Sequence, residues 1–201
     1  MPSMKNELKE KTLQEIKTYA ISHQIPIIHD ETKLFLEKMI TDNNFRDVLE
    51  IGTAIGYSAL SMSNEKNNIQ TIEREYPNVQ LAKDFLKNIS HEIEVIWSEA
   101  FFYQPQKKYD FIFIDASKVQ YEKLFKKYQF FLKDNGVIVC DNLNFHNLDV
   151  KTISRSAKRI ITKLNSFKTF LTENREFKTI FKDIGDGLSI SWKKNFSPKI
   201  I

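Results

Sequence analysis

The sequence is poor in cysteine, and it has no long apolar run. Its single cysteine, Cys140, cannot form an internal disulfide, which favours a protein of the reducing cytosol. No apolar segment approaches the roughly 20 residues that a membrane-spanning helix needs. The first residues, 1–11, are polar and charged, unlike a secretory signal. We therefore expect a cytoplasmic protein without a membrane partner.

Glycine is also scarce, with five in 201 residues, so the spacing of Gly52 and Gly56 is informative. They follow the apolar run 48–51 and precede a helical pattern that starts near Ser58. A strand, a glycine turn and a helix in this order build a nucleotide-sized pocket at the edge of an α/β sheet. The turn lacks the Gly-Lys-Ser/Thr and G-x-G-x-x-G patterns of phosphate-binding loops. An ordinary strand-to-helix turn remains the alternative.

Two acidic residues accompany this turn. Glu50 lies two residues before Gly52, where a carboxylate repels a pyrophosphate but suits a cationic ligand. The next apolar run, 69–72, ends in Glu73, at the place where a carboxylate typically takes ribose hydroxyls. The turn therefore favours a ligand that carries both a positive charge and a ribose.

Composition and length indicate a globular chain of one domain, covering residues 1–201. Hydrophobic residues make up 41% and charged residues 28%, which excludes a disordered chain. The net charge of +4 permits a polyanionic partner without requiring one.

Apolar runs alternate with helical patterns along the chain. We predict helices at residues 8–22, 32–40, 58–63, 79–89, 121–132 and 150–173. We predict strands at residues 48–51, 69–73, 93–97, 109–114, 137–140, 177–181 and 188–192. This order predicts an α/β fold with a mostly parallel seven-stranded sheet, helices on both faces and a C-terminal antiparallel hairpin. Residues 1–45 would form N-terminal helices, 134–136 a turn and 193–201 a frayed tail.

Oxygen-bearing side chains follow two of the predicted strands. Asp115 ends one strand, and Asp141 and Asn142 end the next. Each alone is more often a helix cap or part of a turn. Because the carboxyl ends of parallel strands share one edge, however, two such ends indicate a site for Mg²⁺ or Ca²⁺.

Lys118 lies three residues after Asp115, so one helical turn brings its ammonium next to the carboxylate. Beside a dication the neutral amine is favoured because like charges repel. Such a lysine can take a proton from a hydroxyl held at the metal. A solvated lysine at the start of a helix is the alternative interpretation.

Residues 113–118 with Tyr121, followed by the Asp141-Asn142 pair, resemble the metal-dependent class I O-methyltransferases of the catechol and caffeoyl-CoA type. The likeness extends over residues 19–194. The chain further resembles one bacterial branch of the family, which methylates 5-hydroxyuridine at the wobble position of tRNA, in segments 25–27, 49–58, 71–74 and 185–188. The resemblance implies a Rossmann-like methyltransferase fold, S-adenosylmethionine and Mg²⁺ as cofactors, and a homodimer.

The resemblance also implies roles for individual residues. Asp115, Asp141 and Asn142 would bind Mg²⁺. Lys118 would be the catalytic base, and Asp115 would also count among the catalytic residues. The residues implied in cofactor binding are Ile28, Glu50, Gly52, Ser58, Glu73, Glu99, Ala100 and Asp115.

The sequence departs from the family at two places. Glu99 stands where the family usually has aspartate, so a longer acidic side chain would lie near the adenine. Phe145, His146 and Asn147 replace an aromatic residue followed by glycine, so the substrate-side loop can differ. A loop histidine such as His146 is more often solvated than functional.

The metal site cannot separate a phenol from a hydroxylated uridine as the acceptor. The last predicted helix carries a basic stripe that can contact tRNA phosphates, although such a stripe is commonly a solvated face. The stripe consists of Lys151, Arg155, Lys158, Arg159 and Lys163. We therefore expect a tRNA wobble-uridine methyltransferase, with a small-molecule phenol methyltransferase and a non-catalytic RNA-binding module as alternatives.

Overall fold

The computed structural model describes residues 4–144 and 154–200. The predictions for Lys151 and for residues 145–147 lie outside these ranges. None of the helices within them is both long enough and apolar enough to cross a membrane.

Seven strands and six helices alternate along the described parts of the chain. The strands are β1 Asp47–Ile51, β2 Asn68–Glu73, β3 Glu92–Trp97, β4 Tyr109–Ile114, β5 Leu132–Cys140, β6 Phe177–Lys182 and β7 Leu188–Lys193. The helices are α1 Met4–Ser22, α2 Asp30–Asp42, α3 Tyr57–Met62, α4 Tyr76–Leu86, α5 Tyr121–Tyr128 and α6 Arg155–Thr172. Short 3₁₀ turns at Lys118–Gln120 and Gln129–Phe131 flank α5.

The strands form one sheet in the order β3-β2-β1-β4-β5-β7-β6. The first five pair in parallel, whereas β7 runs antiparallel to both β5 and β6. The predicted mostly parallel seven-stranded sheet and its C-terminal hairpin are thus confirmed.

Side chains of each central strand alternate between two apolar cores. Val48 belongs to the core formed with α1 to α4, and its neighbour Leu49 belongs to the core formed with α5 and α6. Phe111 and Ile112 of β4 divide in the same way. Because the side chains of a strand point to opposite faces in turn, a sheet covered on both faces needs continuous apolar runs. The predicted placement of helices on both faces is confirmed.

The region before the fifth strand differs from the prediction. Helix α5 ends at Tyr128, and β5 already begins at Leu132, so the predicted helix end and the turn at 134–136 are wrong. The register with β4 shifts between the pairs Tyr109–Leu132 and Phe111–Val137, which marks a bulge. At Gly136 a Cβ would lie 2.9 Å from the Asp110 carbonyl oxygen, so glycine permits this close approach.

The C-terminal tail is fixed over its described residues. The Lys199 N–H donates to Asn43 Oδ1 (2.8 Å), and Asn43 Nδ2 donates to the Lys199 carbonyl (3.0 Å). Phe196 and Ile200 pack against the core on the side of α1 to α4. This differs from the frayed tail expected for 193–201, because contacts with the end of α2 cannot be read from local composition.

Candidate active site

The carboxyl ends of β1, β2, β4 and β5 meet at one edge of the sheet. The Asp115 N–H donates to the Ile51 carbonyl (2.9 Å), and the Asp141 N–H donates to the Ile114 carbonyl (3.2 Å). On the other side, the Ser98 N–H donates to the Glu73 carbonyl (2.9 Å). The acidic strand ends predicted from the sequence are therefore neighbours in space.

The glycine turn after β1 lies directly against the end of β4. Gly52 has φ 104°, and a Cβ on it would lie 1.9 Å from the Asp115 carbonyl oxygen. The N–H groups of Gly52 and Thr53 both donate to the Ile72 carbonyl at the end of β2. The turn thus joins three strand ends, and no other residue type fits at Gly52 without moving the backbone.

Glu50 is fully buried beneath this turn. Its Oε2 accepts a hydrogen bond from the Thr71 hydroxyl, whereas its Oε1 has no hydrogen-bond partner among the described residues. Burial raises the pKa of Glu50 to about 7, against the opposing effect of the Ser58 and Thr71 hydroxyls. A buried carboxylate with one unused oxygen fits a ligand that brings a positive charge or a hydrogen-bond donor.

Glu73 is held by the turn and by the loop that follows β2. Its Oε2 accepts from the Ala54 N–H (2.9 Å), and its Oε1 accepts from the Glu75 N–H (2.8 Å). Each carboxylate oxygen can accept further hydrogen bonds, so a fixed Glu73 can still receive the hydroxyls of a ribose.

A cavity opens between the ends of β1, β2 and β4. The predicted cofactor residues that line it are Gly52, Glu73, Glu99, Ala100 and Asp115. Glu50 and Ser58 lie beside it under the turn, and Ile28 is buried in the core and is not part of this lining. Five of the eight residues are therefore brought to one cavity.

Two residues of α5 that the sequence analysis missed fix the Ala100 side of the cavity. Lys127 Nζ donates to the carbonyls of Ala100 (3.0 Å), Phe101 (2.8 Å) and Tyr103 (2.5 Å). The Tyr128 hydroxyl donates to the same Ala100 carbonyl (2.7 Å). No local pattern signals these contacts, because a lysine in an amphipathic helix is normally read as solvated.

Asp115, Asp141 and Asn142 lie together at the ends of β4 and β5. The Asn142 N–H donates to Asp141 Oδ1 (2.6 Å), and Asn142 Nδ2 donates to Asp115 Oδ1 (3.3 Å). Asn142 has φ 61°, a left-handed conformation that asparagine tolerates better than most residues. The Tyr121 hydroxyl donates to the Asp141 carbonyl (2.9 Å), which fixes this segment from below.

The two carboxyls concentrate negative charge in a place with little water. Burial raises the pKa of Asp115 to about 6, with the Lys118 ammonium opposing the shift. Burial, and then the charge of Asp115, raise the pKa of Asp141 to about 7. The described residues contain no cluster of three or more His, Cys, Asp or Glu side chains that could hold a metal ion. The available set, two carboxylates and one amide, fits a hard cation that keeps several waters, as Mg²⁺ does.

Asp186 and His29 also reach this region, although the sequence analysis gave them no role. Asp186 lies in the loop between β6 and β7, and its charge raises the pKa of both Asp115 and Asp141. His29 Nε2 lies 3.4 Å from Asp186 Oδ2. The Gly-Asp-Gly sequence at 185–187 was a signal for a tight loop, but not for what the loop approaches.

The basic stripe on α6 is exposed where the structure describes it. Helix α6 buries Leu164, Phe167 and Leu171 and contains no acidic residue. It packs against the 3₁₀ turn that holds Lys118. The exposed basic residues, none of which forms an ion pair with a described residue, are Arg155, Lys158, Arg159 and Lys163.

Comparisons with known proteins identify the family of this chain. The sequence profile described as O-methyltransferase matches residues 2–194. Tapetum-specific methyltransferase 1 of Arabidopsis thaliana is 28% identical, over 92% of this chain and 83% of that protein. Caffeoyl-CoA O-methyltransferase of Populus kitakamiensis is 25% identical, over 94% of this chain and 87% of that protein.

Solved structures of two bacterial proteins resemble this chain. A Staphylococcus aureus protein, provisionally assigned as a caffeoyl-CoA O-methyltransferase, superposes with a TM-score of 0.84 at 31% identity, over 90% of this chain and 91% of that one. A Bacillus cereus O-methyltransferase, solved in complex with SAH, shares the fold with a TM-score of 0.78 at 20% identity, over 92% of this chain and 91% of that one. With a family profile that spans nearly all of its length, the chain belongs to the O-methyltransferase family.

Proposed function

We propose that this protein is an S-adenosylmethionine- and Mg²⁺-dependent O-methyltransferase that converts 5-hydroxyuridine to 5-methoxyuridine at the wobble position of the tRNA anticodon. The observation that carries the methyl-transfer part is the meeting of Asp115, Asp141 and Asn142 at adjacent strand ends, with Lys118 beside them. S-adenosylmethionine would supply an electrophilic methyl group, and Mg²⁺ would offset negative charge on the acceptor oxygen.

Cofactor binding would fall to the cavity between β1, β2 and β4. Glu73 would receive the ribose hydroxyls, since its carboxylate is already fixed by two backbone N–H groups. Glu50, with its unused Oε1, suits the positively charged end of the cofactor. Glu99 and Ala100 line the remaining side, held by Lys127.

Asp115, Asp141 and Asn142 would hold the cation. The Asn142 Nδ2 donates to Asp115, so its side chain would turn its oxygen toward a bound cation. A cation would favour the ionised form of both carboxyls, against the burial that raises the pKa of Asp115 and Asp141.

Lys118 would take the proton of the acceptor hydroxyl. It stands on a 3₁₀ turn directly after the Asp115 segment, so its position is set by the end of β4. The protein would gain much of its rate by holding the acceptor oxygen and the methyl group at reacting distance in one crevice.

The basic stripe on α6 supports an RNA acceptor. Arg155, Lys158 and Arg159 are exposed and lack carboxylate partners among the described residues, so they are available for phosphates. The stripe lies on the helix that packs against the turn of Lys118. A polyanion bound along α6 would thus run past the reacting groups.

A small-molecule phenol is the alternative acceptor. It is favoured by the relative from Populus kitakamiensis, whose name gives caffeoyl-CoA as its substrate. The same residues would carry out the reaction, because a phenol and a 5-hydroxyuridine both present an acidic hydroxyl on a ring.

We further propose a homodimer, with the amphipathic α1 and the edge strand β6 as candidate surfaces. Met4 and Ile21 on α1 are 87% and 70% exposed, and Phe181 on β6 is 44% exposed. Light scattering on the purified protein would report the mass directly.

The deciding experiment offers two acceptors to purified protein with labelled S-adenosylmethionine and Mg²⁺. One is bulk tRNA that carries 5-hydroxyuridine, and the other is a panel of catechols. Label in 5-methoxyuridine, abolished by EDTA and in Asp141→Ala, supports the proposal. Label in catechols alone would keep the reaction but replace the RNA acceptor, and the absence of label in both would contradict the proposed function.

A further inference from the structure

The loop between β6 and β7 is fixed against the segment that follows Asn142. The Leu143 N–H donates to the Gly187 carbonyl (3.0 Å), and the Asn144 N–H donates to the Asp186 carbonyl (2.7 Å). The Gly187 N–H closes the loop by donating to the Ile184 carbonyl (2.9 Å). The backbone of Asp186 is therefore placed beside the cation-binding segment by main-chain hydrogen bonds.

Two glycines allow the loop to fit this narrow place. Gly185 has φ 54°, and a Cβ on it would lie 2.4 Å from Thr32 Oγ1 at the start of α2. Gly187 has φ 86°, and a Cβ on it would lie 2.5 Å from the Asn144 side chain. The loop is thus wedged between α2 and the end of β5, and Asp186 is its single residue between the two glycines.

The Asp186 side chain has no structural task that the contacts reveal. Among the described residues its carboxylate has one ion-pair partner, His29 Nε2 at 3.4 Å, and both side chains remain open to solvent. Its backbone accepts a hydrogen bond from Asn144, two residues after Asn142, and its charge acts on both Asp115 and Asp141, so it lies near the same crevice. It does not complete a three-carboxylate metal cluster with them. A partly exposed carboxylate at this place can accept hydrogen bonds from a ligand.

We propose that Asp186, oriented by His29, forms a subsite that holds the acceptor ring through a hydrogen-bond donor near its reacting hydroxyl. This inference rests on the proposed function, since it names the acceptor side of the same site. Asp186 is a positioning residue, because it acts on the ring's orientation and exchanges no proton with the reacting oxygen.

The chemistry that Asp186 recognises is an N–H or O–H donor on the acceptor ring. The second hydroxyl of a catechol is ortho to the hydroxyl that receives the methyl group, and the imide N–H of a 5-hydroxyuracil lies one ring position further, beyond the C4 carbonyl. A hydrogen bond to a charged group contributes enough binding free energy for about a 10- to 100-fold difference in affinity. A ring whose donor is blocked by a methyl group cannot form this hydrogen bond with the Asp186 carboxylate, so its affinity would be lower by this ratio.

The test compares donor-bearing and donor-blocked rings on the complex of the full chain with S-adenosylhomocysteine and Mg²⁺. One pair is 5-hydroxyuridine and its N3-methyl derivative, and the other is catechol and 2-methoxyphenol. Equilibrium binding is measured for the wild type, for Asp186→Ala and Asp186→Asn, and for Asp183→Asn as a matched control. Asp183 lies in the same loop and accepts from Asn144 Nδ2 (2.9 Å), a bond that asparagine can keep.

We expect the wild type and Asp183→Asn to prefer the donor-bearing ring by about 10- to 100-fold, and Asp186→Ala to lose this preference. Affinity for S-adenosylhomocysteine should stay unchanged in all variants, and KM for the acceptor should rise more than kcat falls. A preference for 5-hydroxyuridine alone assigns the subsite to a uracil, and one for catechol alone assigns it to a phenol.

Equal binding of both rings by the wild type, or an unchanged preference in Asp186→Ala, would overturn the inference. Loss of S-adenosylhomocysteine binding in Asp186→Ala would also overturn it, since the loop would then have a structural role. A preserved ring preference without methyl transfer to any acceptor would contradict the proposed function and leave the subsite standing.

Discussion

A Cβ added to Gly52 would lie 1.9 Å from the carbonyl oxygen of Asp115. A glycine of the cofactor turn and a carboxylate of the proposed cation site are thus packed backbone to backbone. A substitution that moves the backbone at the end of β1 should therefore also move the backbone at the end of β4.

Gly52→Ala should damage both halves of the site at once. The added methyl group meets backbone at a left-handed φ of 104°, so the substitution should reduce the free energy of unfolding by roughly 3 kcal/mol or more. It should also weaken S-adenosylmethionine binding, measured by calorimetry. Gly136→Ala is the control, because its clash with Leu132 and Asp110 lies at the amino ends of β4 and β5, away from the carboxyl ends that form the site, and should lower thermal stability alone. Equal cofactor affinity in both variants would contradict this account.

Without a divalent cation, stability should fall as the pH rises. The folded pKa of Glu50 and of Asp141 is about 7, and that of Asp115 is about 6, above their ordinary values of 4.5 and 3.8. Because the folded state keeps protons that the unfolded state has released, their contribution is complete below the ordinary values and is lost as the pH rises to about 7.

Urea unfolding in EDTA at about pH 5 and about pH 8 measures this decrease, which should amount to several kcal/mol. Glu50→Gln should reduce it, since glutamine can still accept from Thr71, and should weaken cofactor binding. Added Mg²⁺ should restore stability at the higher pH in the wild type but not in Asp141→Asn. A free energy of unfolding that rises with pH in EDTA would contradict the raised pKa values of these three carboxyls.

Lys127→Ala should loosen the Ala100 side of the cavity. Three carbonyls would no longer receive their ammonium donor, and the free energy of unfolding should fall by about 2 kcal/mol. KM for S-adenosylmethionine should rise more than KM for the acceptor. The neighbouring Lys126→Ala removes an exposed ion pair with Glu122 and a contact over the Phe170 ring, neither of which involves the cavity, so it should leave both constants unchanged.

Replacing the described basic residues of α6 by alanine should weaken tRNA methylation. The slope of log binding constant against log salt should decrease by about 1 for each phosphate that the protein no longer neutralises. Methylation of the free nucleoside should not change. The changes are Arg155→Ala, Lys158→Ala, Arg159→Ala and Lys163→Ala.

A double Lys83→Ala and Lys87→Ala variant provides the control. These lysines are exposed at α4, which packs on the opposite face of the sheet, and their removal changes the net charge without touching α6. If this control weakens tRNA methylation as much as the α6 variant, the effect comes from overall charge and α6 is not the contact surface.

The sequence predicted the strands well because each central strand is an apolar run. It also predicted that the acidic residues at the strand ends are neighbours in space, because those ends share one edge of the sheet. The meeting of Asp115 with Asp141 follows from parallel strands alone. The bulge in β5 was not predictable, because Asp134, Asn135 and Gly136 form a local turn pattern, whereas the strand continues through them with a register shift against β4.

The residues that were missed act across long distances in the chain. Lys127 reaches the Ala100 segment, and His29 reaches Asp186, from elements far apart in sequence. Neither pairing leaves a periodic or motif signal. The alternation of strands and helices was predictable, whereas side chains that bridge separate loops depend on how those loops pack.

The proposed cofactor and acceptor sides are built largely from different parts of the chain. The cofactor cavity is lined by one stretch, between Ile51 and Leu124. That stretch also holds Asp115 and Lys118, whereas the rest of the acceptor side is assembled from three short loops, around His29, Asn142 and Asp186. After a gene duplication, substitutions in those three loops can therefore change the methyl acceptor while the residues that bind the methyl donor stay the same.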